Sequence, residues 1–191
     1  MHKARLEAFS DGVIAIIITI MVLELKVPRG HDLDSLSALA PVFAGYVLSF
    51  INVGIYWNNH HHLLQAASRV SGAVLWANLH LLFWLSLMPF TTNWMGENWQ
   101  ASVPVTLYGV DLLMCGLAYY ILCQCLIASE GRDSALANAV GRDRKGIASI
   151  IIYIAAVATA LVIPVLALAM YTAVAIMWLV PDRRIEGKLA K

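Results

Sequence analysis

Charge is what this sequence has least of. Only 13% of its 191 residues are Asp, Glu, Lys or Arg, against roughly 25% in soluble globular domains. Hydrophobic residues make up 60%, and the mean hydropathy is +0.73. That balance excludes a soluble globular domain and describes an integral membrane protein. A net charge of +1 gives no reason to expect a nucleic-acid partner. The three cysteines, Cys115, Cys123 and Cys125, fall in one apolar stretch without a C-x-x-C pair or a second cluster. Neither a zinc site nor a disulfide framework is expected from them. Gly-rich phosphate loops, a G-x-S-x-G elbow and an H-E-x-x-H helix are missing too, so the chain is not expected to be an enzyme or to need a cofactor. The first apolar stretch is not followed by a small-residue cleavage site, so no removable signal peptide is expected. The longest loops, about 26–35 and 128–145, are under twenty residues. Whatever the chain does is done in or across the bilayer.

What is present is long apolar runs. A span needs about 20 mostly apolar residues to cross a hydrocarbon core of roughly 30 Å. Six segments are expected, near 5–25, 36–60, 70–92, 103–127, 146–163 and 164–180. The block from Gly146 to Val180 would be about 52 Å long as one helix, too long even with tilt. Pro164 lies near its middle, where it removes a backbone donor and favours a break. The expected fold is therefore an all-α polytopic membrane protein of six transmembrane helices, one domain over residues 1–191.

Basic residues at the span ends set orientation. Lys3, Arg5, Arg69, Arg132, Arg142, Arg144, Lys145, Arg183, Arg184, Lys188 and Lys191 fall on one side of such a layout, and only Lys26 and Arg29 on the other. Both termini are accordingly expected in the cytoplasm.

Polar groups inside apolar spans are costly and mark functional-site candidates. They are Arg5, Ser10 and Asp11 in the first span, Asn52, Asn58, Asn59 and His60 to His62 in the second, Asn78 and His80 in the third, and Asp111 in the fourth. Consecutive histidines point in different directions around a helix and cannot all ligate one ion. A boundary cluster, with one or two histidines bonded to a neighbouring helix, is therefore favoured over a metal or proton site.

At about 100° per residue, Ile16, Ile20 and Leu23 lie in a stripe roughly 60° wide, continued by Phe9, Val13 and Val27. Asp11 falls near the opposite side, and Thr19 and Glu24 flank the stripe about 70° from its centre. Such a stripe faces lipid, packs on another helix, or lines a hydrophobic constriction at a symmetry axis. Periodicity by itself favours packing.

The segment Arg5-x-x-x-Phe9-Ser10-Asp11 closely resembles the signature that opens the first helix of the transmembrane protein 175 family, endolysosomal potassium channels and their prokaryotic relatives. Trp57-x-x-His60-His61, Asn78 and Pro89-Phe90 also look like the family's pattern. The resemblance is strong over the first three spans and rests on hydropathy over the rest. It implies a potassium-selective cation channel without the T-V-G-Y-G filter, which this sequence lacks, with potassium as the permeant ion. It further implies that first helices surround the pore, with the narrowest ring at Ile16, then Ile20 and Leu23, and with Thr19 at the hydroxyl position behind the first ring.

Animal members of that family carry two six-span repeats and assemble as dimers, so a single-repeat chain implies a homotetramer, in keeping with closed cyclic symmetry. The expected polar network joins Arg5, Ser10 and Asp11 to Trp57, His60 or His61, and Asn78, with Phe9 part of the signature. Glu24 would stand at the outer mouth. The location expected for such a chain is the plasma membrane. Two rival classes remain at this stage. A secondary transporter should show paired repeats and broken midplane helices, and neither is visible. A non-conducting scaffold would need no polar network behind an aliphatic stripe.

Overall fold

The computed structural model describes residues 3–131, 134, 136–137 and 143–179, and these are helical with no strand among them. The helices are α1 (Lys3–Leu23), α2 (Leu33–Ser37), α3 (Ala40–Ala66), α4 (Gly72–Glu97), α5 (Ser102–Glu130), α6 (Arg144–Ala160) and α7 (Pro164–Leu179). Of the basic residues used for orientation, Arg132, Arg142, Arg183, Arg184, Lys188 and Lys191 lie outside the described residues.

The expectation of six transmembrane helices is corrected by this count. Seven helices are described, and four, α1, α3, α4 and α5, are long and apolar enough to cross a membrane. The reason lies in the apolar block after Gly146. Its helices end at Ala160 and restart at Pro164, giving 17 and 16 residues, or about 24–26 Å each. Both fall short of a hydrocarbon core of roughly 30 Å. Treating every apolar run as a span overcounted them. It also overlooked α2, a five-residue helix in the loop after α1. There Asp32 caps the helix by accepting from the Ser35 amide at 2.8 Å, and hydrogen bonding from Ser35 holds its carboxyl below the ordinary range.

α4 is the centre of the bundle. It packs against α1, α3 and α5; α5 continues onto α6, and α6 onto α7. Leu81, Leu85 and Met88 of α4 and Tyr108, Leu112 and Cys115 of α5 are fully buried between them. In lipid, such contacts are held by close packing rather than by escape from water, which favours small residues at crossings. Gly96 shows this: a Cβ there would lie 2.9 Å from the Cα of Val42, so α4 meets the start of α3 backbone to backbone.

Both ends of the bundle are tied. Lys3 Nζ donates to the carbonyls of Gln65 and Ala67 at the end of α3, at 3.1 and 2.9 Å. Beside them the Glu130 carboxylate accepts from the backbone amides of Ser68 and Arg69, both at 2.6 Å. At the far end Lys26 and Glu97 form an ion pair of 2.5 Å between the segment after α1 and the end of α4. Gly131, at φ +101°, carries the chain out of α5 in the left-handed region.

Gly96→Val should lower stability by about 1–3 kcal/mol, the usual cost of overpacking. Gly54→Ala, with nothing within 4 Å of its added carbon, should be close to neutral. Melting of the two purified variants, followed by loss of the monodisperse size-exclusion peak, checks the contrast.

Candidate functional site

One face of α1 is buried and the other is bare. Leu6, Ser10, Ile14, Ile17 and Met21 are buried, at the spacing of a helix stripe, and pack toward α4 and α3. On the opposite side Phe9 is 51% exposed, Ile16 58%, Ile20 40% and Leu23 79%. Thr19 and Glu24 are exposed with them. An open groove of about 760 Å³ runs beside this face, with Ile16, Ile20 and Glu24 on one wall and Pro89, Phe90 and Trp94 of α4 on the other.

Two hydrogen-bonded groups hold that rotation. Asn78 of α4 donates from Nδ2 to Ser10 Oγ at 2.9 Å, and Ser10 donates to its own helix at the Leu6 carbonyl, also at 2.9 Å. With its amide nitrogen so used, Asn78 presents Oδ1 as acceptor, and His60 Nε2 stands 2.7 Å from it as the donor. Ser10, Asn78 and His60 are 0%, 0% and 1% exposed. The chain is therefore closed on every member, as a buried polar group requires. One residue on, Asp11 Oδ1 accepts from Trp57 Nε1 at 3.0 Å. His61 stacks on the Trp57 ring with centroids 6.2 Å apart.

Arg5 stands apart from this group. It is exposed and bonded to none of these residues, and the cation that ties the start of α1 is Lys3. The three consecutive histidines go separate ways: His60 inward to Asn78, His61 onto Trp57, and His62 edge-on to His61. Among the described residues no group of three His, Cys, Asp or Glu is placed to hold a metal ion. Thr19 turns its hydroxyl proton onto the Ile16 carbonyl at 2.9 Å. Thr19 is exposed, and its hydroxyl oxygen keeps its capacity to accept.

Sequence reasoning missed a second polar cluster. Thr92 donates to Ser49 at 2.7 Å, and Ser49 lies 3.0 Å from the Tyr108 hydroxyl. Thr91 donates to the buried Asp111 at 2.7 Å. Asp111 stood out as a carboxyl in an apolar run, but Ser49, Thr91, Thr92 and Tyr108 scarcely lower hydropathy. The available signal was the pair Thr91-Thr92 two residues after Pro89 in α4.

Asn78→Ala removes the member that both satisfies Ser10 and receives His60. Leaving buried partners unmet costs about 1–3 kcal/mol each, so this variant should melt well below the parent. Asp11→Ala loses one partly exposed bond and should melt closer to it. A larger fall for Asp11→Ala would show that Trp57, not Asn78, is the main anchor of α1.

The bare aliphatic face, the buried Ser10–Asn78–His60 chain and the Asp11–Trp57 bond lie within a region with known relatives. The profile of the family described as "Endosomal/lysosomal potassium channel TMEM175" matches residues 5–89. A potassium channel of Chryseobacterium sp. (strain P1-3) is 54% identical over 189 residues, covering 99% of this chain and 98% of that one. The human endosomal/lysosomal proton channel TMEM175 is 38% identical over 87 residues, 38% of this chain and 17% of its own. The crystal structure of a lysosomal potassium-selective channel TMEM175 homolog from Chamaesiphon minutus aligns with a TM-score of 0.83 at 28% identity, covering 95% of this chain and 97% of that one. This chain is a multi-pass membrane protein that belongs to the TMEM175 potassium channel family.

Proposed function

We propose that this chain forms a potassium-selective channel of the plasma membrane, in which four copies set their α1 helices around a common axis. The observation that carries this reading is the uncovered Phe9, Ile16, Ile20 and Leu23 face of α1, opposite a face fixed by hydrogen bonds. A helix whose rotation is set by polar contacts presents the same stripe in every copy. Fourfold symmetry then brings four stripes together and uses the groove between α1 and α4 as the seat for a neighbour.

In that assembly Ile16 makes the narrowest ring, and Ile20 and Leu23 make wider ones toward the Lys26–Glu97 end. Branched aliphatic tips exclude water and close a pore by dewetting. Potassium crosses at least partly hydrated, and its smaller dehydration cost favours it over sodium. Thr19 contributes acceptor lone pairs behind the first ring, suited to a cation or to the water around it. Glu24, just past the end of α1, places four carboxylates at the mouth and raises the local cation concentration.

Flux into liposomes under potassium and sodium gradients tests the activity, and potassium uptake exceeding sodium uptake is expected. The assignment of residues to the axis is tested by a pair of variants. Ile16→Asn puts four amides in place of four aliphatic tips, so conductance should rise and the reversal potentials should show weaker discrimination. Ile17→Asn places an amide in the 3% exposed packing face and should impair expression without any gain in conductance. If Ile17→Asn opens the pore while Ile16→Asn conducts like the parent, the axis runs past a different face.

Glu24→Gln should reduce current mainly at low ionic strength. The Debye length there is about 30 Å at 0.01 M, against about 8 Å at 0.15 M. An equal reduction at both salt concentrations would remove the electrostatic role.

A further inference from the structure

Asp111 is a carboxyl group on α5 that is 2% exposed and faces α4 through Thr91. No basic group is placed to balance a charge there. α5 and α7 contain no Lys, Arg or His. On α4 the one such residue is His80, about 16 Å from Thr91 along the helix. On α3 they are His60, His61 and His62, and His60 is bonded to Asn78, about 20 Å from Thr91 along α4. On α6, Arg144 and Lys145 stand in the first turn, about 12 Å or more before Tyr153, and the Lys145 ammonium lies over the Trp178 ring. Lys26 is held by the exposed Glu97, about 9 Å beyond Thr91. The titratable groups nearest Asp111 are Tyr56 of α3 and Tyr108 and Cys115 of α5. Behind them Tyr153 of α6 faces Cys115, and the Tyr171 ring of α7 lies 5.8 Å from that of Tyr108. These are phenols and a thiol, which carry no positive charge.

A carboxylate in such surroundings is disfavoured, because burial penalises the charged form and no opposite charge compensates it. Hydrogen counting points the same way. Thr91 Oγ1 lies 2.7 Å from Asp111 Oδ2 and 3.3 Å from each of the Leu87 and Met88 carbonyls. A hydroxyl has one proton to give. With Asp111 ionised, that proton goes to the carboxylate. With a proton on Oδ2, the same short contact runs from the acid to Thr91, whose own proton is then free for a carbonyl. The neutral acid thus makes two hydrogen bonds where the carboxylate makes one. Cys115 Sγ, 4.0 Å from Oδ1, serves the other oxygen weakly in either state. Among the described residues no group of three His, Cys, Asp or Glu could hold a metal ion, whereas a proton needs no space of its own.

This contact lies where the hydrogen-bond ladder of α4 is already incomplete. Pro89 lacks the amide that would serve the Leu85 carbonyl. Pro89 and Phe90 form the α4 wall of the groove beside Ile16 and Ile20, and Thr91 follows directly. The acid therefore ties α4 to α5 immediately behind that wall.

We propose that Asp111 is a proton-binding site inside the subunit, and that the bound proton fastens α4 to α5 through Thr91. The sign of its pH dependence follows. The folded chain keeps this proton, whereas the unfolded chain releases it above the ordinary carboxylate range of about 4. Folding then takes up one proton, so stability falls as pH rises, until the folded chain also loses the proton and the slope ends.

The test uses the full chain purified in detergent at mildly acidic pH. Its infrared spectrum should show the C=O stretch of a buried carboxylic acid, and Asp111→Asn, whose amide still donates to Thr91, should lose that band. Thr91→Val should shift the band toward that of an unbonded acid. Reversible unfolding between mildly acidic and neutral pH gives a second readout. The folded-to-unfolded ratio of the parent, relative to that of Asp111→Asn, should drop about tenfold per pH unit, the slope of one proton. A parent spectrum without the acid band, a band that survives in Asp111→Asn, or an unshifted band in Thr91→Val overturns the proposal. So does an equal pH dependence of unfolding in the parent and Asp111→Asn.

Discussion

The hydrogen bonds of Asn78 set the rotation of α1, and the bare face of the subunit follows from that rotation. In water, the hydrophobic effect would decide which side of an apolar helix turns inward. In lipid that force is missing, because acyl chains are as apolar as isoleucine. Ile14 and Ile16 are then nearly equivalent in transfer terms, yet one is 1% exposed and the other 58%. The difference comes from groups that lipid cannot satisfy. Ser10 and Asn78 must be met inside the protein, and once they are, the position of every later side chain on α1 is fixed by about 100° steps.

Rotation alone would not hold a helix whose other face is uncovered. α1 is also fixed along its length, by Lys3 on the α3 carbonyls at one end and by the Lys26–Glu97 pair at the other. The exposed ends and the buried middle contribute differently. A surface ion pair is worth roughly 0–1 kcal/mol, whereas an unmet buried polar group costs about 1–3 kcal/mol. The middle therefore sets which way α1 faces, and the ends mainly limit fraying.

Legibility from sequence followed the same physics. Composition identified the solvent, and Ser10, Asp11, His60 and Asn78 stood out because such residues are conspicuous among aliphatics, whereas Trp57 entered only through the family resemblance. Their pairing was less readable. Asp11 bonds Trp57, Asn78 bridges Ser10 and His60, and Arg5, grouped with them in sequence, stands outside. The pairing depends on how α3 and α4 cross, which no periodicity within one helix reveals. Hydropathy also failed where length mattered. The helices described before and after Pro164 have 17 and 16 residues and are not among the four that are long and apolar enough to cross. The Ser49, Thr92 and Tyr108 cluster was hidden because hydroxyls bond locally without interrupting an apolar pattern.

The helical nature of α1 also constrains how a pore built from it selects ions. A filter of the carbonyl type needs backbone oxygens turned toward the ion, and an α-helix spends them on its own amides. The Ile16 carbonyl, next to the proposed ring, also accepts the Thr19 hydroxyl, so it has least to offer a cation. On the proposed reading the oxygens that α1 turns toward the axis come from Thr19 and Glu24, both beyond the Ile16 ring on its Lys26–Glu97 side. No protein oxygen replaces hydration water at the narrowest point. Discrimination must then depend on how much water an ion can keep while passing four isoleucines, and ring width matters more than the number of ligands.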